Sequence, residues 1–156
     1  MNFKRMLFWV IALVCINVAL CSAATPVTND DLTVNGIHLG MDRNQVEKVV
    51  GDSRGTEKYL GHVVYVYDRG KVKIVYKNNK VMRMKITDRT WKNGKGIHCG
   101  CNEQNIESLY GSPAVFSDEP SEKSYTYFTD NFDTIEFIAI EGYVQEIIVE
   151  GKKDYL

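Results

Sequence analysis

The residues best suited to chemistry are a histidine and two cysteines in the run His98-Cys99-Gly100-Cys101. Two thiols separated by one residue can form a strained, easily reduced disulfide, or they can bind a metal. We predict a disulfide or a redox-active pair at Cys99 and Cys101, with two small buried apolar side chains as the alternative. A metal site would need further ligands that the spacing does not nominate, so we predict no metal and no cofactor.

The rest of the sequence gives little support for catalysis. We predict no phosphate-binding glycine loop, no nucleophile elbow and no zinc-protease motif. His38 and His98 each follow an isoleucine in a loop before a predicted helix, where a histidine is more often structural than catalytic. We therefore expect no catalytic residue and a protein that is not an enzyme.

The start of the chain has the layout of a secretory signal peptide. Lys4 and Arg5 precede a long apolar stretch, and small residues follow as far as Ala24. The apolar stretch of about 15 residues is shorter than the about 20 that span a bilayer. We predict cleavage near Ala23 or Ala24, a secreted or periplasmic location, and no membrane insertion afterwards. An uncleaved anchor and a lipoprotein acylated at Cys21 are the alternatives.

The mature chain is unevenly charged along its length. Without residues 1–24 it has 17 basic and 20 acidic residues, a net charge of −3. Residues 25–94 carry 13 basic and 8 acidic residues, a net of +5, whereas residues 95–156 carry 4 and 12, a net of −8. A basic half tied to an acidic half in an exported chain argues against nucleic acid as a partner.

An internal repetition predicts the architecture. The segment 35–41 recurs as 95–101, an offset of 60, and apolar and aromatic residues further on match at about the same spacing. We predict an α+β protein of two tandem repeats, each a short helix followed by a three- to four-stranded antiparallel sheet. The predicted divisions are a signal peptide at 1–24, a first repeat at 25–94 and a second at 95–156.

The predicted elements follow from local patterns. Asp42 and Gly51 bracket one helix, and Asn102 and Gly111 bracket the other. Alternating apolar and polar residues predict strands, and Asn78-Asn79 predicts a turn between two of them. The predicted strands are 63–67, 72–77, 80–87, 125–128, 134–140 and 143–150.

Residues that alternate with the apolar positions should form a second, charged face of the sheet. We predict that this face binds another protein. An alternative is that the basic and acidic halves only neutralise each other across their joint. The predicted partner-binding residues are Lys73, Lys77, Arg83, Lys85, Glu136, Glu146 and Glu150.

The pattern Gly-Ile-x-Leu-Gly-Met-x-x-x-x-Val-x-x-Val-x-Gly, from Gly36 to Gly51, followed by aromatic-rich strands, resembles the SmpA/OmlA-like superfamily. The tandem arrangement is similar to that of the beta-lactamase inhibitory proteins. This resemblance implies a non-enzymatic, protein-binding role, as an enzyme inhibitor or an envelope-assembly factor, with the open sheet surface as the docking face. A small thiol, disulfide or metal-handling protein centred on Cys99 and Cys101 is the alternative function.

Overall fold

The computed structural model describes residues 26–152, so the predicted signal peptide lies outside the described residues. Within them, a helix and four strands are followed by a second helix and four more strands. The elements are α1 (Arg43–Val50), β1 (Gly55–Tyr59), β2 (His62–Tyr67), β3 (Val72–Lys77), β4 (Lys80–Ile86), α2 (Gln104–Tyr110), β5 (Val115–Glu119), β6 (Glu122–Phe128), β7 (Thr134–Ile140) and β8 (Tyr143–Glu150).

All the strands belong to one antiparallel sheet of eight, in the order β1-β2-β3-β4-β8-β7-β6-β5. The prediction of two tandem helix-plus-sheet repeats is therefore wrong. The two sets of strands join where β4 pairs with β8, through partners that include Met84 with Val149 and Ile86 with Ile147. These four side chains have an exposed fraction of 0%. Separate sheets would leave two apolar edges in water, and pairing β4 with β8 removes both of them.

A single hydrophobic core covers one face of this sheet. It contains residues from before and after the predicted boundary, among them Ile74 and Phe137, which are fully buried. The segment before α1 contributes Leu32 and Val34, and the segment between β4 and α2 contributes Trp91 and other residues. The helices and connecting segments thus cover one face of the sheet with a shared apolar layer.

The helices are short, and each buries a narrow stripe. α1 begins after Asp42, whose backbone N–H donates to the Gln45 side chain at 3.1 Å, and Val46 is fully buried. In α2, Ile106 and Tyr110 are buried. Leu109, the neighbour of Tyr110 in the sequence, has 42% of its surface exposed.

An irregularity in the β3–β4 hairpin changes which side chains face the core. The register between β3 and β4 shifts at Val75/Tyr76, so that Tyr76 pairs with Val81 while Val75 pairs with Arg83. Met82 is the extra residue of this bulge, and it is only half-buried. Met82 therefore does not share the fully buried face of Met84.

The connection between β4 and α2 is held by close packing rather than left as an open linker. Asn93 is buried, and its side-chain amide donates to the Tyr110 hydroxyl at 2.8 Å. At Gly94 a Cβ atom would collide with the backbone carbonyl of Asp30. Glycine is required there because the N-terminal segment crosses the connection at backbone distance.

Candidate functional site

The sheet face opposite the core carries the charged residues that the sequence predicts as partner-binding. We call this surface the open face. Direct cross-strand partners share a face, so the register assigns its residues. A row across the middle, the central row, consists of Val66, Lys73, Lys85, Ile148, Glu136 and Thr126.

The remaining predicted residues lie beside the central row. Arg83 pairs with Glu150 in the row on one side, and Glu146 pairs with Ile138 in the row on the other. Lys77 continues the alternation of Lys73 and Val75 along β3 and lies at its end. The structure therefore brings the predicted set onto one face of a continuous sheet, basic on the β3–β4 side and mostly acidic on the β7–β8 side.

Opposite charges meet where β4 joins β8. Arg83 Nε lies 3.3 Å from Glu150 Oε2, and Lys85 Nζ lies 2.8 Å from Glu146 Oε2. These side chains are between 22% and 37% exposed, so each pair contributes only about 0.2–1 kcal/mol to stability. The basic and acidic halves thus neutralise each other along this seam.

Away from the seam the charges find other partners. Lys73 Nζ lies 2.7 Å from Glu57 Oε2, a carboxylate supplied by β1. Glu136 accepts a hydrogen bond of 2.6 Å from the Ser124 hydroxyl. Lys73 and Glu136 are therefore held in place by neighbouring side chains of the same chain.

Apolar side chains lie between these charges. Val64, Val75 and Ile138 are buried, with exposed fractions of 6%, 5% and 8%, although they lie outside the core cluster. In the register Val75 adjoins Arg83, and Ile138 adjoins Glu146. The aliphatic stems of such charged residues can shield apolar neighbours from water. The open face therefore combines a charged outer layer with apolar surface beneath it.

A cleft of about 830 Å³ opens where β3 and β8 end. Tyr59 and Leu60, at the tip of the β1–β2 hairpin, are 54% and 81% exposed. Lys77 has no salt-bridge partner within residues 26–152. The charged residues lining this cleft are Lys77, Lys80, Arg83, Lys152, Asp133 and Glu150.

The opposite end of the sheet is acidic. A second, shallower cavity of about 670 Å³ lies at the turns that join β5 to β6 and β7 to β8. Glu103 in this cavity is paired with Lys123 at 2.8 Å. Four exposed carboxylates of the cavity have no salt bridge in the described part of the chain: Asp118, Glu119, Glu122 and Glu141.

The two cysteines predicted to form a disulfide are free thiols. Cys99 is 2% exposed and lies 3.4 Å from the Ile86 carbonyl oxygen, to which its thiol donates. Burial raises the pKa of the Cys99 thiol to about 12. A thiol that stays protonated is a poor nucleophile. Cys101 packs against the core, so the arrangement fits the apolar alternative, and the disulfide prediction is not supported.

The histidines have structural surroundings. The Nδ1 atoms of His38 and His98 donate to the carbonyl oxygens of Leu39 and Cys99, at 2.8 and 2.9 Å. Within residues 26–152 no group of three or more histidine, cysteine or acidic side chains could hold a metal ion. These contacts fix the loops that precede the helices.

The sequence contains one motif with the pattern of a nucleophile elbow, although we predict no elbow. Residues 51–55 read Gly-Asp-Ser-Arg-Gly, which matches the pattern Gly-x-Ser-x-Gly. In an elbow the serine follows a strand and precedes a helix. Here Ser53 follows α1 and precedes β1. Because the order of elements is reversed, the motif does not build an elbow.

Comparison with known proteins gives the fold alone. No protein-family model and no curated protein matches the chain. Among solved structures, it is similar to an extracellular protein containing an SCP domain from Bacillus anthracis str. Ames, with 9% identity, a TM-score of 0.52 and coverage of 83% of this chain and 47% of that one. It is also similar to a cysteine-rich secretory protein from Staphylococcus aureus subsp. aureus Mu50, with 12% identity, a TM-score of 0.53 and coverage of 84% and 49%.

A DUF4309 family protein, YjgB, from Bacillus subtilis subsp. subtilis str. 168 gives 13% identity and a TM-score of 0.48, covering 84% of this chain and 89% of that one. The chain spans about half the length of the two SCP-type structures. Their descriptions as extracellular and secretory are consistent with the predicted export. Neither SCP-type structure is described as an SmpA/OmlA-like or a beta-lactamase inhibitory protein, so that family resemblance stays a prediction. None of the helices within residues 26–152 has the length and apolar character needed to span a bilayer.

Proposed function

We propose that the protein is an exported, non-enzymatic module that binds another protein through its open face. The proposed route is secretion or release into the cell envelope after cleavage near Ala23 or Ala24. Inhibition of an exported enzyme and assistance in envelope assembly are the two forms of this role that the sequence resemblance implies. The likeness of the fold to extracellular proteins supports the location.

The observation that carries the proposal is the central row with its flanking pairs. Lys73 and Lys85 are direct cross-strand neighbours, and Ile148 separates Lys85 from Glu136. The open face therefore has a basic side and an acidic side, and the apolar side chain of Ile148 lies between them. The matching partner has an acidic surface over the lysines and a basic surface over Glu136. Complementary charge of this kind orients a partner and speeds association.

The ion pairs within the open face limit the binding energy that a partner can obtain from the charges. Because Lys85 and Glu146 already pair with each other, a partner obtains little energy from either charge alone. The larger gain comes from burying the partly exposed Ile148 and the aliphatic stems around it. The charges then select which surface binds, and the apolar atoms supply most of the affinity.

A charge swap separates this role from stability. The double variant K85E/E146K restores an ion pair at the same place but inverts the pattern presented to a partner. The immobilised mature protein should retain a protein from the medium or envelope of its host, and the swapped variant should not. The matched control, K123E/E103K, swaps a pair outside the open face with a 2.8 Å separation.

The unfolding midpoint of each variant is measured alongside retention. A protein that is retained equally by wild type, control and K85E/E146K would overturn docking on the open face. The retained protein then identifies the form of the role, because an inhibitor should reduce that partner's enzymatic activity whereas an assembly factor should not.

A further inference from the structure

Like charges face each other at two hairpin ends. Lys77 lies opposite Lys80 where the β3–β4 hairpin turns, and Glu119 lies opposite Glu122 where the β5–β6 hairpin turns. Like charges directly opposite each other destabilise an antiparallel pair. At the basic end Lys80 Nζ lies 2.9 Å from Asp42 Oδ2, so part of this repulsion is offset within the chain. Within residues 26–152 Lys77, Glu119 and Glu122 have no salt bridge, so each hairpin end keeps charge that would attract the other.

Neighbouring residues extend both patches. The basic end lies in the cleft with Lys152 and with the exposed side chains of Tyr59 and Leu60. The acidic end adds Asp118 and Glu141. A cationic cleft with an apolar wall fits an acidic, protruding segment, and the β5–β6 hairpin of this chain has that chemistry.

The two ends cannot neutralise each other within one molecule. Every neighbouring pair of strands is antiparallel, so β3 and β5 run in opposite directions and finish at opposite ends of the sheet. The seven-residue strand β6 is roughly 20 Å long. Charges are screened over about 8 Å at physiological salt, so the two patches do not reach each other within one molecule. The charges left without a salt bridge at these ends, Lys77, Glu119 and Glu122, are therefore open to a second molecule.

We propose that the cleft at the basic end receives the acidic β5–β6 hairpin of a second copy of this chain. The contact joins two different surfaces, head to tail, so each added copy presents a fresh end. The assembly is therefore a row of molecules that lengthens with concentration. It goes beyond the proposed function, because Lys77, Glu119 and Glu122 lie at the ends of the open face, outside the central row. The variant K85E/E146K, which alters only the pair at the seam, should self-associate like the wild type.

Sedimentation velocity of the mature chain tests this proposal. The mean sedimentation coefficient should rise with protein concentration at an ionic strength of about 0.01 M. It should return to the monomer value at about 1 M, where the screening length falls to about 3 Å. A monomer at every concentration and salt level would overturn the proposal.

Neutral variants test the two surfaces separately. K77Q/K152Q should be monomeric because its cleft is disabled, and E119Q/E122Q should be monomeric because its acidic hairpin is disabled. Mixed in equal amounts, they should form a dimer and nothing larger, since one intact cleft meets one intact hairpin. The control K48Q/K92Q removes two exposed lysines outside the cleft and should associate like the wild type.

Two other results would show that the cleft binds something other than a second copy of this chain. Undiminished association of E119Q/E122Q would show that the β5–β6 hairpin is not the occupant. If the wild type stays monomeric but its cleft binds a labelled hexaglutamate peptide, and K77Q/K152Q does not, the occupant is an acidic segment of another protein. Either result overturns the second copy as the ligand.

Discussion

The seam between β4 and β8 and the two hairpin ends use charge in opposite ways. At the seam, Lys85 meets Glu146 at 2.8 Å, and the basic and acidic halves satisfy each other inside one chain. At the ends, Lys77 faces Lys80 and Glu119 faces Glu122. The comparison shows that the uneven charge along the sequence is only partly used for internal pairing. Charge left at the ends is available to other molecules.

The largest expected effect comes from breaking the seam itself. Ile147 is fully buried and pairs with Ile86 across the seam. Ile147→Ala should lower the free energy of unfolding by about 2–5 kcal/mol, because it removes buried methyl groups and leaves a cavity. Urea denaturation measures this value. Ile140→Ala is the matched control, since Ile140 is 36% exposed and should lose far less.

A continuous sheet also predicts that the whole chain unfolds together. The Ile147→Ala variant should still show one transition, at a lower urea concentration. Two separated transitions would contradict a single cooperative sheet and core.

A smaller loss of stability is expected when the pH is lowered, because the carboxylate of Asp88, just after β4, becomes protonated. Asp88 is 3% exposed, and its carboxylate lies 2.8 Å from Lys71 Nζ and accepts a hydrogen bond of 2.7 Å from the Thr90 backbone N–H. Lys71 and Thr90 hold the pKa of Asp88 well below its usual range. The resulting stability is complete above the unfolded-state pKa of about 4 and is lost as the pH falls below it.

Thermal unfolding between neutral pH and about pH 3 should therefore show a falling melting temperature. The Asp88→Asn variant should be less stable than the wild type at neutral pH, and its melting temperature should fall less on acidification. An equal fall in both proteins would contradict a stabilising role for the ionised Asp88 carboxylate.

At the seam, Lys85→Glu should cost about 1 kcal/mol, because it replaces a partly exposed ion pair by two neighbouring carboxylates. Adding Glu146→Lys should recover most of that loss. A double-mutant cycle by urea denaturation measures the coupling between the two positions. If the second substitution adds a further loss instead, the two halves do not neutralise each other at this point.

The smallest effect is expected at the acidic hairpin end, and it has the opposite sign. Glu122→Gln should raise the free energy of unfolding by up to about 0.5 kcal/mol, since it removes a repulsion with Glu119. Thermal unfolding at low salt shows this gain most clearly, because salt screens the repulsion. A loss of stability would mean that Glu122 is used within its own chain, which would weaken the contrast with the seam.

Local patterns in the sequence predict much of the sheet but not its edges. The strand Val72–Lys77 and the turn at Asn78-Asn79 lie where alternation and turn chemistry place them. Both central residues of that turn have positive φ angles, of 52° and 62°, which asparagine tolerates. Local patterns do not predict the outer strands β1 and β5, since Gly55–Tyr59 and Val115–Glu119 are almost entirely exposed and lack an apolar period.

The rest depends on contacts between residues far apart in the chain. That β4 pairs with β8 cannot be read from either strand alone, and without this pairing the sequence reads as two units. The bulge at Met82 shifts the alternation by one residue, and nothing in the local pattern marks it. The like-charged residues of the two hairpin ends are visible in the sequence, but their position at opposite ends of one sheet follows only from the strand order.

The pairing of β4 with β8 also governs how the chain can be made. Because β8 is the last strand within residues 26–152, β4 has no partner on one side until the chain has been synthesised as far as Glu150. During that interval the Met84 and Ile86 edge is an open template for other strands. Such distant pairing gives a high contact order and slow folding. A chaperone that covers this edge until β8 has emerged should therefore reduce misassembly of the nascent chain.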